Sequence, residues 1–241
     1  MNPYNIDITQ SNLEGPVSAL NVLYSGMPAT SGCEKCKEVN GDNAIWCCSS
    51  QNPSLYYVEF LQVLKVVGET WSNSKKTDLI LRAVRNYLDN SLSKGCVFYN
   101  NECTIYKDRP LQCRLYGVIP KETWDKRWET LKKRQGDKFE AKPQCTLVTS
   151  EEKITPEMED KWFLHTKKSE ERIGIAPEII NRHDLAGGSY RTFHDHLLLE
   201  FFGEDLLSVL TKAKMTNSTE EEINLLIEEL RKQLSEQALS R

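Results

Sequence analysis

The sequence predicts a mainly α-helical protein with irregular cysteine-rich loops organised around a metal centre. Apolar residues recur at helical spacing over much of the chain, and period-two alternation is rare. All eight cysteines lie between Cys33 and Cys145, in segments rich in turn-forming residues. The chain has 241 residues with 39% hydrophobic and 27% charged, which suits one folded core and argues against disorder.

Two helices are predicted between the first and second cysteine groups. Residues 1–32 read as a lead-in with a short helix near Val17 to Tyr24, and 33–53 as a loop. Pro53-Ser54 opens the next helix, and another fits Ser74 to about Leu92. We expect these two helices to fold back as a hairpin, which would bring the cysteine groups together.

The remainder alternates a second cysteine-rich loop with further helices. Residues 95–117 are loop-like, 121–134 form a basic helix, and Thr155-Pro156 begins a helix that ends near Glu171. A loop at 181–188 precedes a helix at 192–210 kinked at Gly203, and capping residues at 218–222 begin the last helix. The predicted regions are a lead-in at 1–32, a metal-binding domain at 33–150 and a helical region packed on it at 151–241.

Composition narrows the function classes. No apolar run approaches the roughly 18–20 residues that cross a bilayer, and residues 1–10 lack the features of a secretory signal. We therefore expect a cytoplasmic protein without a membrane partner. Residues 1–150 carry 19 Lys and Arg against 16 Asp and Glu, and residues 151–241 carry 12 against 19. This mild asymmetry is not the basic footprint of a nucleic-acid-binding protein.

The clustered cysteines predict metal ligands. The cytosol keeps thiols reduced, so a disulfide set is not expected. The spacing begins as Cys33-x2-Cys36, which lets two sulfurs face one metal, but no second Cys-x2-Cys or spaced histidine pair completes a zinc ribbon. The ligand set is therefore all sulfur, which is typical of zinc and of iron–sulfur clusters. We favour the iron–sulfur interpretation.

The adjacent Cys47-Cys48 pair leaves the number of centres open. Successive side chains point in different directions, so both rarely bind one metal. One cysteine could bind while the other packs, or the two could serve two centres. Eight sulfurs would match two four-cysteine sites, or one site with four further structural or redox thiols.

The second cysteine group carries a family resemblance. From Cys103 to Arg114 the sequence reads CTIYKDRPLQCR, with Ile105-Tyr106 and Arg109-Pro110 between two cysteines. This stretch resembles the signature of the CxxCxxCC cysteine-cluster family, also called YkgJ-like, whose members carry eight cysteines that chelate zinc or iron. One departure is the ten residues between Cys36 and Cys47, where the family commonly has only a few.

The resemblance implies the metal ligands and a cofactor. All eight cysteines become candidate ligands: Cys33, Cys36, Cys47, Cys48, Cys96, Cys103, Cys113 and Cys145. The cysteine region is also distantly similar to that of flagellin lysine methylases, which implies a four-iron four-sulfur cluster acting with S-adenosylmethionine in methyl transfer. Zinc is the alternative metal.

Three other residues are predicted to bind the cofactor. Arg109 and Arg114 flank Cys113 and could donate hydrogen bonds to thiolate or sulfide, which would raise the reduction potential of a cluster. The alternative is a surface salt bridge to Asp108 or Glu102. Tyr106 could donate its hydroxyl to the centre or simply pack.

Two function classes remain open at the level of sequence. The first is a cluster-dependent enzyme, a methyltransferase or redox enzyme, acting on a protein or small substrate. The second is a non-catalytic zinc- or cluster-binding module for electron transfer or partner interaction. No acid–base or nucleophile constellation stands out beyond the cysteines, so no catalytic residue is predicted.

Overall fold

The structure is a computed structural model that describes residues 14–36, 38, 46–49, 52–89, 95–136, 144–145, 147–172, 190–202, 204–216 and 218–239. It is mainly helical, as predicted. The α-helices are α1 Glu14–Ser25, α2 Trp46–Ser49, α3 Tyr57–Thr70, α4 Asn73–Leu88, α5 Leu111–Leu115, α6 Lys121–Gln135, α7 Pro156–Glu171, α8 Phe193–Phe201, α9 Glu204–Met215 and α10 Glu220–Leu239. The strands are β1 Thr30–Ser31, β2 Ser54–Tyr56, β3 Thr149–Ser150 and β4 Tyr190–Thr192. The 3-10 helices are Cys33–Lys35 and Tyr106–Asp108.

Helix α4 lies in the middle of one half of the core. It packs on α8, α9 and α10. Its buried face includes Leu79, Ile80, Ala83 and Val84, whose spacing matches the helical repeat. The side chain of Ser72 accepts a hydrogen bond from the backbone N–H of Lys75, which satisfies one orphan donor at the helix start.

Helix α3 organises the other half, where it packs on α1 and α7. The predicted hairpin of α3 and α4 is therefore not the contact that joins the cysteine groups, because each of the two helices packs mainly on different partners. The reason is the width of their apolar surfaces. Helix α3 is buried over consecutive positions from Tyr57 to Leu64, so it needs neighbours on several sides.

Two short antiparallel sheets connect distant segments. Strands β2 and β4 pair with Ser54 opposite Thr192 and Tyr56 opposite Tyr190. The sequence predicted a helix from Ser54, but the chain is extended to Tyr56 and becomes helical at Tyr57. Strands β1 and β3 pair with Thr30 opposite Ser150, so the segment just before Cys33 runs beside the segment just after Cys145.

The helix boundaries in the second half largely match the predictions. Helix α7 begins at Pro156, and Thr155 caps it by accepting a hydrogen bond from the Met158 N–H. Thr219 and Glu222 form the reciprocal capping bonds at the start of α10. The predicted loop at 181–188 and the kink at Gly203 lie outside the described residues. No helix among those described has the length and apolarity needed to cross a membrane.

Candidate metal centre

The first cysteine pair follows a sharp backbone turn at Gly32. Gly32 has φ of +100°, and a side chain there would overlap the carbonyl oxygen of Leu147. The left-handed conformation and the close approach both require glycine. The 3-10 helix Cys33–Lys35 starts immediately afterwards, so the turn at Gly32 aims Cys33. Cys36 is the most buried of the eight cysteines.

The Cys47-Cys48 pair lies on helix α2 rather than in the loop that the sequence predicted. The carbonyl oxygen of Cys48 accepts a 2.7 Å hydrogen bond from the backbone N–H of Cys96. This bond joins the two cysteine groups directly, although two helices separate them in sequence. The expectation that the groups come together is thus met by a loop contact.

The loop from Cys96 to Thr104 is held by its own backbone. The N–H of Tyr99 donates to the carbonyl of Cys96 at 3.0 Å, and the N–H of Thr104 donates to the carbonyl of Phe98 at 3.0 Å. Tyr99 and Cys103 form an antiparallel bridge. Asn101 closes the turn with φ of 60°, a conformation that asparagine tolerates better than most residues. Cys96 and Cys103 therefore stand at the base of one tight turn.

Cys113 is positioned by a buried carboxylate. Pro110 precedes α5, and its fixed φ sets the entry of the chain into that helix. Glu59, 2% exposed, accepts hydrogen bonds from the backbone N–H of Leu111 at 2.6 Å and of Tyr56 at 2.9 Å. The hydroxyl of Tyr24 donates to the same carboxylate at 2.5 Å. Burial raises the pKa of Glu59, although these three donors oppose the shift.

Cys48 forms the centre of a hydrogen-bonded sulfur trio. Its thiol interacts with both Cys103 and Cys47, to one of which its single hydrogen is donated at a time, and these interactions raise the pKa of Cys48. The bond from Cys48 lowers the pKa of Cys103 to about 7 and lowers that of Cys47 as well. A thiolate is the form that binds metal. The trio therefore offers two sulfurs that ionise readily beside one that does not.

Cys96 and Cys113 extend this trio. Burial raises the pKa of Cys96 to about 12 and raises that of Cys113 well above its ordinary value. The charge of Cys103 acts on both, and the charge of Cys113 acts on Cys48. Ionising several buried thiols beside one another is energetically unfavourable because of desolvation and charge repulsion. A bound metal cation would offset both effects.

Cys33 is linked to this group through Cys47, whose charge acts on the thiol of Cys33. Burial raises the pKa of Cys33, with contributions from the nearby charges of Cys47 and Cys36. The Tyr106 hydroxyl donates a hydrogen bond that favours the thiolate of Cys33. Tyr106 thus reaches a cysteine, although its side chain is 38% exposed.

Arg109 is the cation shared by most of the sulfurs. Its positive charge favours the thiolate forms of Cys33, Cys47, Cys103 and Cys113. For Cys33 and Cys113 this effect opposes burial, which still raises their pKa overall. The guanidinium stacks 3.6 Å from the centroid of the Tyr106 ring, and Nε donates to the Tyr106 carbonyl at 2.8 Å. The ion pairs found among the described residues do not include Arg109, so the salt bridges considered from the sequence are not formed.

Arg114 stabilises the turn at Arg109-Pro110 through hydrogen bonds to backbone carbonyls. It donates to the carbonyl of Arg109 at 2.7 Å and to the carbonyl of Lys107 at 2.6 Å. Its guanidinium also lies 4.3 Å from the centroid of the Tyr24 ring. These contacts give Arg114 a role in shaping the Arg109-Pro110 turn.

Cys145 lies apart from this network. It packs beside Gly117, whose φ is +87°. A Cβ atom added at Gly117 would lie 3.1 Å from the Cβ atom of Cys145. None of the interactions that link the other seven cysteines in the described segments includes Cys145. Across those same segments, no three Cys, His, Asp or Glu side chains converge closely enough to hold a metal ion. The structure therefore gathers seven thiols without closing a single-ion coordination shell.

Sequence reasoning missed two supporting residues, Glu59 and Arg82. Glu59 interrupts the apolar run Tyr57 to Leu64, and a lone carboxylate in such a run signals a buried hydrogen-bonding role. Arg82 on α4 donates to the Tyr99 carbonyl at 3.0 Å, and its charge acts on Cys96. No local sequence signal predicts that contact, because Arg82 looks like an ordinary polar position of an amphipathic helix.

Comparison with known proteins identifies the cysteine region. The model of the family CxxCxxCC, "Putative zinc- or iron-chelating domain", matches residues 32–162, which is just over half of the chain. The match includes all eight cysteines and both arginines that flank Cys113. Neither a curated protein nor a solved structure matches the chain.

Proposed function

The chain belongs to the CxxCxxCC family of zinc- or iron-chelating domains, and from this premise we propose that it binds an iron–sulfur cluster through four of its cysteines. The four are Cys48, Cys96, Cys103 and Cys113. The observation that carries the proposal is that these thiols influence one another: Cys48 interacts with Cys103 by a hydrogen bond and with Cys113 through charge, and Cys96 interacts with the same two through charge. Cys103 and Cys113 also interact with each other.

The donor set fits a thiolate-bound metal. All four ligands are sulfur, which suits zinc and iron–sulfur clusters and does not suit magnesium or calcium. Arg109 supplies positive charge beside Cys103 and Cys113, and Arg82 supplies it beside Cys96. These cations would offset the negative charge of the assembled site.

The preference for a cluster over a single zinc ion rests on the resemblance of the cysteine region to that of flagellin lysine methylases. Among the described residues, no three ligand-type side chains meet around one ion position. The four-iron four-sulfur type matches four cysteine ligands.

The other cysteines divide into two kinds. Cys33, Cys36 and Cys47 form a second set that touches the first through the bond between Cys47 and Cys48. We propose that this set covers the centre and exchanges ligands with it. Cys145 supports the turn after α5 from outside. One centre of four cysteines is thus favoured over two separate centres.

Anaerobic purification tests the proposal. We expect iron and acid-labile sulfide in equal amounts, a brown colour, and an electron paramagnetic resonance signal after reduction. Cys103→Ser should lose most of the iron, and Cys145→Ser, the matched control, should keep it. Stoichiometric zinc with a colourless anaerobic protein would replace the cluster by zinc on the same ligands. Equal metal loss in both variants would reject the four-cysteine assignment.

Methyl transfer with S-adenosylmethionine stays a prediction from the sequence resemblance. An open coordination position is the physical requirement for a catalytic metal, and on a cluster held by four cysteines it would require one of those thiolates to leave its iron. Titrating the anaerobic, iron-loaded protein with S-adenosylmethionine while recording the cluster spectrum tests this step. An unchanged spectrum and no binding heat would leave a non-catalytic cluster-binding module as the function.

A further inference from the structure

A cleft of about 700 Å³ lies between α4 and α10, beside the Cys96–Thr104 loop. The loop forms its third wall through Asn100, Glu102 and Thr104. The volume lies within the roughly 300–1,000 Å³ typical of sites that bind small molecules. The same loop therefore borders both the candidate centre and this cleft.

One part of the cleft is apolar. Trp71, Leu81 and Ile227 contribute to its lining, and the last two are almost completely buried. The ring of Trp71 packs edge-on against Phe98 with centroids 5.9 Å apart, which fixes its orientation. A fixed and half-buried indole is a suitable surface for a flat apolar group.

The rest of the lining is charged, with a small positive excess. Four cations face three carboxylates, which gives a formal charge of +1: Lys75, Arg82, Arg85 and Arg231 against Asp78, Glu102 and Glu228. Two of these cations are already neutralised. Arg85 pairs with Glu220 at 2.5 Å, and Arg231 pairs with Asp78 at 2.9 Å.

Arg82 and Lys75, unlike Arg85 and Arg231, form no ion pair among the described residues. Among the described residues, the guanidinium of Arg82 donates to two backbone carbonyls, those of Tyr99 at 3.0 Å and Asp78 at 3.4 Å. Within the part of the chain that the structure describes, no carboxylate forms an ion pair with Arg82 or Lys75. The charge of Asp78 acts on Arg82 from beyond ion-pair distance. A half-buried guanidinium beside a cavity, with no carboxylate within 4 Å in the described segments, favours an anion in that cavity.

We propose that this cleft binds a small organic anion, whose carboxylate or phosphate is held by Arg82 and Lys75 and whose flat apolar part lies against Trp71. The proposal does not rest on the metal centre, because none of the lining residues is a cysteine. It does place the ligand against the loop that carries Cys96 and Cys103, through Asn100, Glu102 and Thr104.

Nuclear magnetic resonance of the full chain with ¹⁵N-labelled tryptophan tests the proposal. The chain has five tryptophans, and Trp71→Phe identifies the indole signal of Trp71. Phenyl phosphate and benzoate are the probes, and their relative affinities decide between phosphate and carboxylate. We expect a saturable shift of the Trp71 signal with at least one probe. Phenol should give none, and inorganic phosphate should bind about tenfold more weakly because it lacks the apolar ring.

Two variants on one helix form a matched pair. Arg82→Gln should weaken binding by about tenfold or more, the usual effect of losing a charge-assisted hydrogen bond. Arg85→Gln should weaken it by less than about threefold, since Arg85 already pairs with Glu220. If Arg82→Gln fails to fold, Lys75→Gln at an exposed position serves instead, with an expected loss of about threefold.

Three results would overturn the proposal. The first is the absence of a saturable Trp71 shift with both probes. The second is equal binding of phenol, which would remove the requirement for an anion. The third is unchanged affinity in both Arg82→Gln and Lys75→Gln, which would move the anion away from these two cations.

Discussion

The backbone N–H of Cys96 donates a 2.7 Å hydrogen bond to the carbonyl oxygen of Cys48. This bond fixes the position of α2 relative to the Cys96–Thr104 loop without involving any sulfur. Because the peptide groups are already paired, the thiol of Cys48 is held near Cys103 before a metal binds. Part of the entropy of bringing distant ligands together is thus lost during folding rather than during metal binding.

The adjacent cysteines should respond unequally to substitution. Cys48 interacts by hydrogen bonding with both Cys47 and Cys103, whereas Cys47 bonds to Cys48 alone in the principal set and otherwise acts on Cys96 through charge. Cys48→Ser should therefore lower metal affinity by more than the roughly 10–100-fold that losing a supporting residue costs. Cys47→Ser should have a smaller effect. Metal content after dialysis against a chelator of graded strength gives the comparison, and equal losses would contradict the assignment.

A second prediction concerns the turn that aims Cys33. Gly32→Ala should destabilise the protein by about 1–3 kcal/mol, because φ of +100° and the nearby Leu147 carbonyl both exclude a side chain. Gly15→Ala is the control, since Gly15 lies in α1 and nothing is within 4 Å of the added atom. That change should be neutral or stabilising by up to about 1 kcal/mol. Urea unfolding of the reduced, metal-free proteins measures both, and equal midpoints would refute the role of Gly32.

The sequence predicted the helices well where their apolar faces are regular. The cap at Thr155 and the reciprocal bonds at Thr219 are local, so short-range rules located α7 and α10 correctly. The extended residues at Ser54–Tyr56 were missed, because their strand partner Tyr190–Thr192 is far away in the chain. Long-range pairing leaves little trace in a three-residue segment.

In the candidate centre too, local sequence features were predicted and long-range contacts were not. Spacing and motif indicated which cysteines to consider, and seven of them form one connected group. Sequence alone could not show which of the seven are the metal ligands, because that depends on which thiols share hydrogen bonds and which are buried. The placement of Cys145 against Gly117 and the pairing of β1 with β3, which brings the segment after Cys145 beside the segment before Cys33, are both tertiary features.

A third prediction addresses the buried carboxylate. Glu59→Leu should destabilise the protein by about 3 kcal/mol or more, because it leaves the N–H groups of Leu111 and Tyr56 without their acceptor. Tyr24→Phe removes only one donor and should cost about 1 kcal/mol.

The matched control for that prediction is Glu69→Leu, on the exposed side of the same helix. It should change the free energy of unfolding by less than about 0.5 kcal/mol. Guanidinium unfolding followed by far-ultraviolet circular dichroism measures all three variants. A Glu59→Leu protein as stable as Glu69→Leu would show that the Glu59 contacts do not hold α5. Metal content should fall with Glu59→Leu as well, since Cys113 lies on α5.

The last prediction is a pH dependence at the start of α8. Burial opposes ionisation of Asp195, but hydrogen bonds and the charge of His194 together with the Thr192 hydroxyl lower the pKa of Asp195 to about 2. A carboxylate with a lowered folded-state pKa stabilises the protein above its unfolded pKa of roughly 4, and this contribution is lost as the pH falls toward the folded value. Asp195→Asn should thus destabilise the protein by about 1–2 kcal/mol at pH 7, and the difference should shrink below about pH 4. Asp160→Asn, at an exposed position, should show no such dependence. Unfolding curves recorded from pH 7 to pH 2.5 check this, and a difference that does not shrink below about pH 4 would contradict the lowered pKa of Asp195.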